Sequence, residues 1–318
     1  VTDHGAMAGV GAAGATMSSV NGSDHSGARP PAEPAADVAA EADLRAALDR
    51  LRAWFRGQSS VVVAFSGGAD SAFVAWVATD VLGPERAHCA TAVSPSLPET
   101  ELHGCAELAA AWGLNWSKVV TDELDDPAYR RNDAQRCFHC KDALSRALRP
   151  LAEAEGATVV LGVNVDDLGD HRPGQRAAVS HGARFPLVDA GFTKAMVRAA
   201  SRLLGLPTAD KPAAACLASR IPYGTPVTLG VLREVEAAEA GLRRLGFTDL
   251  RVRHYGETAR LEVPVDRLGD VVARRAAVVA AVHAAGYRYV TVDLEGLRSG
   301  NLNGATGGPL AGDAGRGR

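Results

Sequence analysis

The chain has 318 residues, 47% hydrophobic and 22% charged, with a formal net charge of -3; single cores stop growing at roughly 250 residues, so about two domains are expected. This balance belongs to a globular protein and excludes a fibre, and the small negative charge gives no field for holding a polyanionic duplex or an acidic membrane. No apolar run approaches the ~18 residues of a membrane span, and Val1 to Asp37 lacks a charged start followed by an apolar stretch, so neither membrane nor secretory leader is expected and the cytoplasm is the default location.

Residues 1–37 are rich in Ala, Gly, Ser and Pro. They cannot bury enough apolar surface to offset the entropy of ordering and are expected to be a disordered tail, as are residues 304–318. Leu44, Leu48, Leu51 and Phe55 form one apolar stripe, predicting a helix over Ala40 to Phe55. Strands and helices then alternate: strand Val61 to Phe65, helix Ala69 to Leu82, strand Ala87 to Val93, helix Glu99 to Trp112, strand Trp116 to Thr121, helix Cys140 to Glu155 and strand Thr158 to Val163. Alternation of this kind implies a Rossmann-like parallel sheet covered on both faces, with ligands at the carboxyl ends of its strands. Lys211 to Gly224, with Pro212, Pro222 and Gly224, reads as a connector. Beyond it come helix Leu229 to Leu245, strands Leu250 to His254 and Ala259 to Val263, helix Val265 to Ala285 and strand Arg288 to Leu294. The expected organisation is an α/β domain over 38–215 and a small α+β domain over 216–303.

Strand Val61 to Phe65 runs directly into Ser66-Gly67-Gly68-Ala69-Asp70-Ser71 and a helix. Two glycines allow a sharp turn close to an anion, exposed amides and the helix dipole favour negative charge, and Ser66 and Ser71 add hydroxyls. There is no Gly-Lys-Ser/Thr as in a Walker loop, so a pyrophosphate cradle is the expectation. Asp70 is a candidate to orient Mg²⁺ or to cap the helix.

Five cysteines are an odd number, and Cys137-Phe138-His139-Cys140 spaces two of them for metal or redox chemistry rather than a disulfide framework. Cys216 lies in the connector. Zinc wants a fourth ligand, for which His139 is nearest, whereas three thiolates leave one iron of a [4Fe-4S] cluster open. On residues alone the cluster, zinc and the absence of metal all stand. Cys89 and Cys105 have no motif and read as ordinary buried thiols.

The strand, loop and helix at Ser66 to Ser71 resemble the PP-loop ATP pyrophosphatases. Five ordered motifs narrow the resemblance to the LarE family: Arg136-Cys-x-x-Cys-Lys141, Asn164 with Asp166-Asp167-Leu168-Gly169-Asp170, Arg172-Pro173-Gly174, Cys216-Leu-Ala-Ser-Arg-Ile-Pro-Tyr-Gly224, and Asp293-Leu-Glu-Gly296 with Arg298-Ser-Gly300. The resemblance implies an ATP-dependent sulfur transferase of nickel-pincer nucleotide synthesis, the cofactor pathway of lactate racemase. Its substrate would be pyridinium-3,5-biscarboxylic acid mononucleotide, adenylated with release of pyrophosphate and converted to a thiocarboxylate. The resemblance also implies a homo-oligomer working between upstream and downstream cofactor-synthesis enzymes.

Two sulfur sources occur in that family, a sacrificial cysteine ending as dehydroalanine and a [4Fe-4S] cluster on three cysteines. Cys137, Cys140 and Cys216 point to the second, and Cys216 would serve in either. The same resemblance assigns Ser219, Arg220, Glu239, Glu262 and Asp270 to the active site, and Arg251 and Arg253 to the substrate phosphate. Alternating on one strand, the two arginines can face one anion, although charged residues on a small sheet are more often solvated. Glu239 alone reads as part of a solvated helix face. A tRNA-thiolating PP-loop enzyme is the nearest competitor, without the basic patch or aromatic platform that RNA requires. A non-catalytic nucleotide-binding redox sensor is the competitor from another class.

Overall fold

The computed structural model describes residues 34–169 and 173–298, with the backbone alone described for 34–40, 169 and 173. Both expected tails, apart from Pro34 to Asp37, and Asp170, Arg172, Ser299 and Gly300 of the motifs lie outside the described residues. The described residues from Glu41 onward form one compact unit.

Its elements run α1 (Pro34–Arg56), β1 (Val61–Ala64), α2 (Ala69–Leu82), β2 (Ala87–Val93), α3 (Glu99–Trp112), β3 (Asn115–Val120), α4 (Pro127–Arg130), α5 (Arg136–Glu155), β4 (Thr158–Leu161), α6 (Pro173–Ser180), α7 (Pro186–Asp189) and α8 (Lys194–Leu203). These are followed by α9 (Leu229–Arg244), β5 (Arg251–Tyr255), β6 (Thr258–Glu262), α10 (Leu268–Ala273), α11 (Arg275–Ala284) and β7 (Tyr289–Val292).

The first sheet is wholly parallel in the order β3-β2-β1-β4. Alternation along β1 divides its core. Val61 and Val63 join Leu48, Leu51, Phe55, Phe73, Val74 and Val77 of α1 and α2 on one face, while Val62 meets Leu144, Leu148 and Ala152 of α5 on the other. Chain crossings leave β1 toward β2 on one side and return at β4 on the other, so the strand order reverses between β1 and β4. Ligand crevices open at such points, at the carboxyl ends of the strands.

The second sheet has the order β5-β6-β7, with β5 antiparallel and β7 parallel to β6. Val252, Ala259 and Leu261 pack on Leu242 of α9 and on Val278 and Val282 of α11.

Three boundaries differ from expectation by more than two residues. Helix α1 starts at Pro34, where the fixed φ of proline suits a first helical position. Helix α5 starts at Arg136 rather than Cys140, because Asp133 Oδ1 accepts the Gln135 amide at 2.8 Å and the Arg136 amide closes on the Asp133 carbonyl at 3.0 Å. The single helix expected over Val265 to Ala285 is a 3₁₀ turn, Val265–Arg267, followed by α10 and α11, divided at Arg274 (φ -103°, ψ 20°). No helix among the described residues is long and apolar enough to cross a membrane.

Candidate active site

The turn between β1 and α2 is closed by its own hydroxyls. The Ser66 amide donates to Ser71 Oγ at 3.2 Å, the two hydroxyl oxygens lie 2.9 Å apart, and Ser71 Oγ donates to the Gly68 carbonyl at 3.2 Å. The free amides of the first turn of α2 therefore stand at the mouth of the crevice, where an anion is favoured. Gly67 has φ +68°, and a Cβ there would lie 2.9 Å from Cys105 Sγ. Gly162, just past β4, is required by proximity, since its Cβ would lie 2.7 Å from the Ser71 nitrogen and 2.8 Å from the Asp70 carbonyl carbon.

Asp70 does not cap α2: the N-cap is Gly68, with no side-chain capping bond. Its Oδ1 instead accepts from Asn164 Nδ2 at 3.1 Å. Burial holds the Asp70 carboxyl above its usual range, with Asp167 adding to the effect and Asn164, Lys194 and Arg198 opposing it. A half-buried carboxylate of this kind, at the mouth of a phosphate loop, suits a divalent cation bound with phosphate oxygens. Asn164 and Asp167 exchange amide-to-side-chain bonds at 3.3 and 3.2 Å, and Lys194 Nζ lies 3.0 Å from Asp167 Oδ1. Across the loop, Lys211 Nζ donates to the Gly67 carbonyl at 3.1 Å and to Glu101 Oε2 at 2.8 Å. Lys211 thus fastens the strap that carries Cys216 to the phosphate loop.

Cys137 and Cys140 share one face of the first turn of α5. Gly174 lets α6 approach that turn, since a Cβ there would lie 2.9 Å from the Cys137 carbonyl oxygen. Cys216 precedes the 3₁₀ turn Leu217–Arg220, whose first amide donates to the Ser96 carbonyl at 2.9 Å. Cys140 and Cys216 both pack against the buried cluster that contains Tyr129, Leu217, Ala218 and Ile221. Burial pushes the Cys140 thiol up to about 12, with Lys141 opposing and Cys216 and Glu123 adding. Burial would lower the Arg136 guanidinium, but Cys216 and Cys137 raise it. The three thiols thus share one neighbourhood around Arg136 and Tyr129.

Among the described residues no group of three or more His, Cys, Asp and Glu side chains closes into a metal-binding set. The donor chemistry nonetheless suits either an iron-sulfur cluster or zinc. Two thiols one helical turn apart and a third on the strap are the three donors a cluster would use, and His139, the nearest fourth ligand for zinc, has Nδ1 3.2 Å from Asp126 Oδ2, a contact that orients the imidazole and leaves Nε2 for a metal. Cys89 and Cys105 are fully buried, and burial pushes the Cys89 thiol to about 12.

A buried charge network joins the Cys216 strap to the second sheet. Glu239, with no exposed surface, accepts from Arg220 at 2.8 and 3.2 Å, from Arg243 at 2.9 Å and from the Val252 amide at 3.1 Å. Arg220 Nη1 in turn donates to the carbonyls of Ala215 (2.6 Å) and Cys216 (3.2 Å) and to Ser219 Oγ (3.1 Å). On β5, Arg253 reaches Glu262 at 2.8 Å and the Ser219 carbonyl at 2.8 Å. Arg251, on the same strand face, donates to the Arg298 carbonyl at 3.0 Å. Burial lowers its pKa, as do the neighbouring cations Arg253 and Arg220. Glu262 and Glu239, the partners of those two arginines, oppose the shift, so Arg251 is a half-exposed guanidinium beside a paired, buried charge network.

The fold therefore unites Cys216, Ser219, Arg220, Glu239, Arg251, Arg253 and Glu262, but not Asp270, which pairs with Arg267 at 2.7 Å on the surface. Glu239 is the reverse of the solvated position its local sequence indicates. Sequence reasoning did not find Lys194, Arg198, Lys211 or Gly162. Lys194 and Arg198 carried a usable signal, two cations one turn apart behind the N-cap Thr193; Lys211 carried none.

Residues 49–137 match the family model described as NAD synthase. An uncharacterized protein of Synechocystis sp. is 45% identical over 264 residues, 82% of this chain and 98% of its own. The pyridinium-3,5-bisthiocarboxylic acid mononucleotide synthase of Lactiplantibacillus plantarum is 38% identical over 244 residues, 76% of this chain and 88% of its own. The glutamine-dependent NAD(+) synthetase of Rhodobacter capsulatus is 36% identical over 96 residues, 30% of this chain and 16% of its own.

Proposed function

The chain belongs to the LarE family of PP-loop proteins, and from that premise we propose that it is an ATP-dependent sulfurtransferase acting on pyridinium-3,5-biscarboxylic acid mononucleotide. The observation that carries this reading is the strap: Lys211 bonds the phosphate loop and Arg220 anchors the backbone around Cys216, so one short segment links the ATP site to the sulfur residues.

A carboxylate oxygen of the substrate attacks the α-phosphorus of ATP, and pyrophosphate leaves. Loop amides, Lys194, Arg198 and Lys211 offset the charge on the leaving group, and Asp70 would hold a Mg²⁺ that supplies further positive charge there. The acyl adenylate now carries AMP as a good leaving group in place of oxide. A sulfur nucleophile attacks the acyl carbon, AMP departs and a thiocarboxylate remains. Arg251 and Arg253 hold the substrate phosphate, while Glu239 and Glu262 fix Arg220 and Arg253. A [4Fe-4S] cluster on Cys137, Cys140 and Cys216 would supply the transferable sulfide. In this division of labour residues 38–215 adenylate, and 216–303 hold substrate and receive sulfur.

The test is ATP-to-AMP conversion with pyrophosphate release that depends on the pyridinium dicarboxylate mononucleotide. Hydrolysis indifferent to that acceptor overturns the substrate, and failure to form AMP overturns the enzyme in favour of a nucleotide-binding sensor. Iron and acid-labile sulfide on anaerobically purified protein test the sulfur source. About four irons per chain, lost in Cys137→Ala, Cys140→Ala and Cys216→Ala, support the cluster. An iron-free protein that turns over once and loses about 34 Da, the mass of H₂S, from Cys216 is the sacrificial version.

A further inference from the structure

Asn132 is the only non-glycine residue with positive φ (+56°) among the described residues, and it has no exposed surface. Asparagine tolerates this region better than most residues, yet the conformation still has to be held. Its own side chain provides the hold. Nδ2 donates to the carbonyls of Pro222 and Thr225, both at 2.8 Å, and to that of Ile221 at 3.3 Å. An amide nitrogen has two hydrogens, so one of these bonds is shared. Its backbone carbonyl accepts the Gly224 amide at 3.0 Å.

On the other side, Asn132 Oδ1 accepts from Arg136 Nη1 at 2.6 Å, and the same nitrogen donates to the Ala218 carbonyl at 2.8 Å. Arg136 is only 7% exposed, and its guanidinium lies over the Tyr223 ring, 5.4 Å from the centroid. Its hydrogen-bond acceptors among the described residues are neutral, so this is not a conventional buried ion pair. The bonds to Ala218, Ile221, Pro222 and Thr225 all cross between two segments. One leads into Cys137 and Cys140; the other begins at Cys216. A simple turn staple would need neither a strained residue nor a buried cation set beside a thiol.

We infer that Asn132 and Arg136 are positioning residues that hold the Cys216 segment in register with the Cys137–Cys140 turn, so that the three thiols work as one set. The inference rests on the sulfur-transfer reading, but its test requires no turnover.

Cadmium ions titrated into the reduced, iron-free full chain report bound thiolates through thiolate-to-metal charge-transfer absorbance. Cys216→Ala calibrates the loss of one ligand, to about two thirds of the wild-type signal. Asn132→Gly relieves the backbone strain while deleting the side-chain bonds, and Arg136→Met deletes the cation. Both are expected to match Cys216→Ala, with cadmium affinity down about tenfold or more, the usual effect of removing a ligand's support. Arg136→Lys restores part of the signal, and thermal unfolding identifies any variant that fails to fold. Iron uptake on anaerobic reconstitution follows the same order, while ATP binding stays within about twofold of wild type because the phosphate loop keeps its contacts.

Full three-thiolate absorbance in folded Asn132→Gly and Arg136→Met overturns the positioning role. So does a wild-type signal indifferent to Cys216→Ala. A wild-type chain that shows three thiolates yet takes up no iron removes the cluster reading and leaves the positioning role standing.

Discussion

Replacing Glu239 separates a buttress from a catalyst. The carboxylate is fully buried and accepts four bonds, two from Arg220, one from Arg243 and one from the Val252 amide. Glu239→Ala strands the Arg220 guanidinium, whose side chain is 6% exposed. Breaking a buried pair by removing one partner costs about 3–5 kcal/mol. Glu239→Gln keeps the shape but loses the charge and costs about 1.5–3 kcal/mol. At roughly 2 °C per kcal/mol for a chain of this length, Tm should fall by about 6–10 °C for Ala and about 3–6 °C for Gln. Circular dichroism during heating gives Tm, and acceptor-dependent AMP formation gives turnover on the same samples. A residue acting through Arg220 loses stability and turnover together. If Glu239→Ala melts within about 1 °C of wild type, the network does not carry the load assigned to it; if Glu239→Gln loses turnover at unchanged Tm, the carboxylate touches the reacting atoms.

Lys211→Met removes a cation bonded to the phosphate loop, and should weaken ATP binding by about tenfold to a hundredfold in calorimetric titration, the value of one charge-assisted bond. Gly162→Ala forces a Cβ to 2.7 Å from the Ser71 nitrogen; overpacking of this kind costs about 1–3 kcal/mol, and it should weaken ATP binding more than it lowers Tm. The raised Asp70 pKa means that the folded chain binds this proton more tightly than the unfolded chain does. Its contribution to stability is therefore present below 3.8 and lost as pH rises through the raised value. Asp70→Asn should accordingly raise the Tm of the nucleotide-free protein at neutral pH and abolish Mg²⁺-dependent AMP formation; a lower Tm at neutral pH contradicts this sign.

The parallel sheet was legible because strands alternate with helices and its central strand is a short buried apolar run leading into an apolar helix, as Val61 to Ala64 and Ala69 to Leu82 show, even though the edge strand Asn115–Val120 is half-exposed. The phosphate loop was legible because glycine, hydroxyl and carboxylate stand at fixed offsets from a strand end. Charged residues of the second sheet were different. Glu239 sits among Glu234, Glu236 and alanines in a segment that locally describes a wet helix face, and only the arrival of Arg220 and the Val252 amide makes it a core acceptor. Asn132 had no sequence signal, since its significance is a backbone angle and carbonyls about ninety residues away, as its 89–93-residue bond separations record. The early start of α5 was hidden too, because an aspartate turn launches it rather than apolar periodicity.

None of the three cysteines belongs to a strand. Two open a helix and the third opens a turn on a strap, all outside the ladder of backbone bonds that fixes the sheet. Substituting them removes no rung of the first sheet. The chemistry of these three side chains can therefore be exchanged one residue at a time while the strand ladder and the turn after β1 keep their backbone bonds.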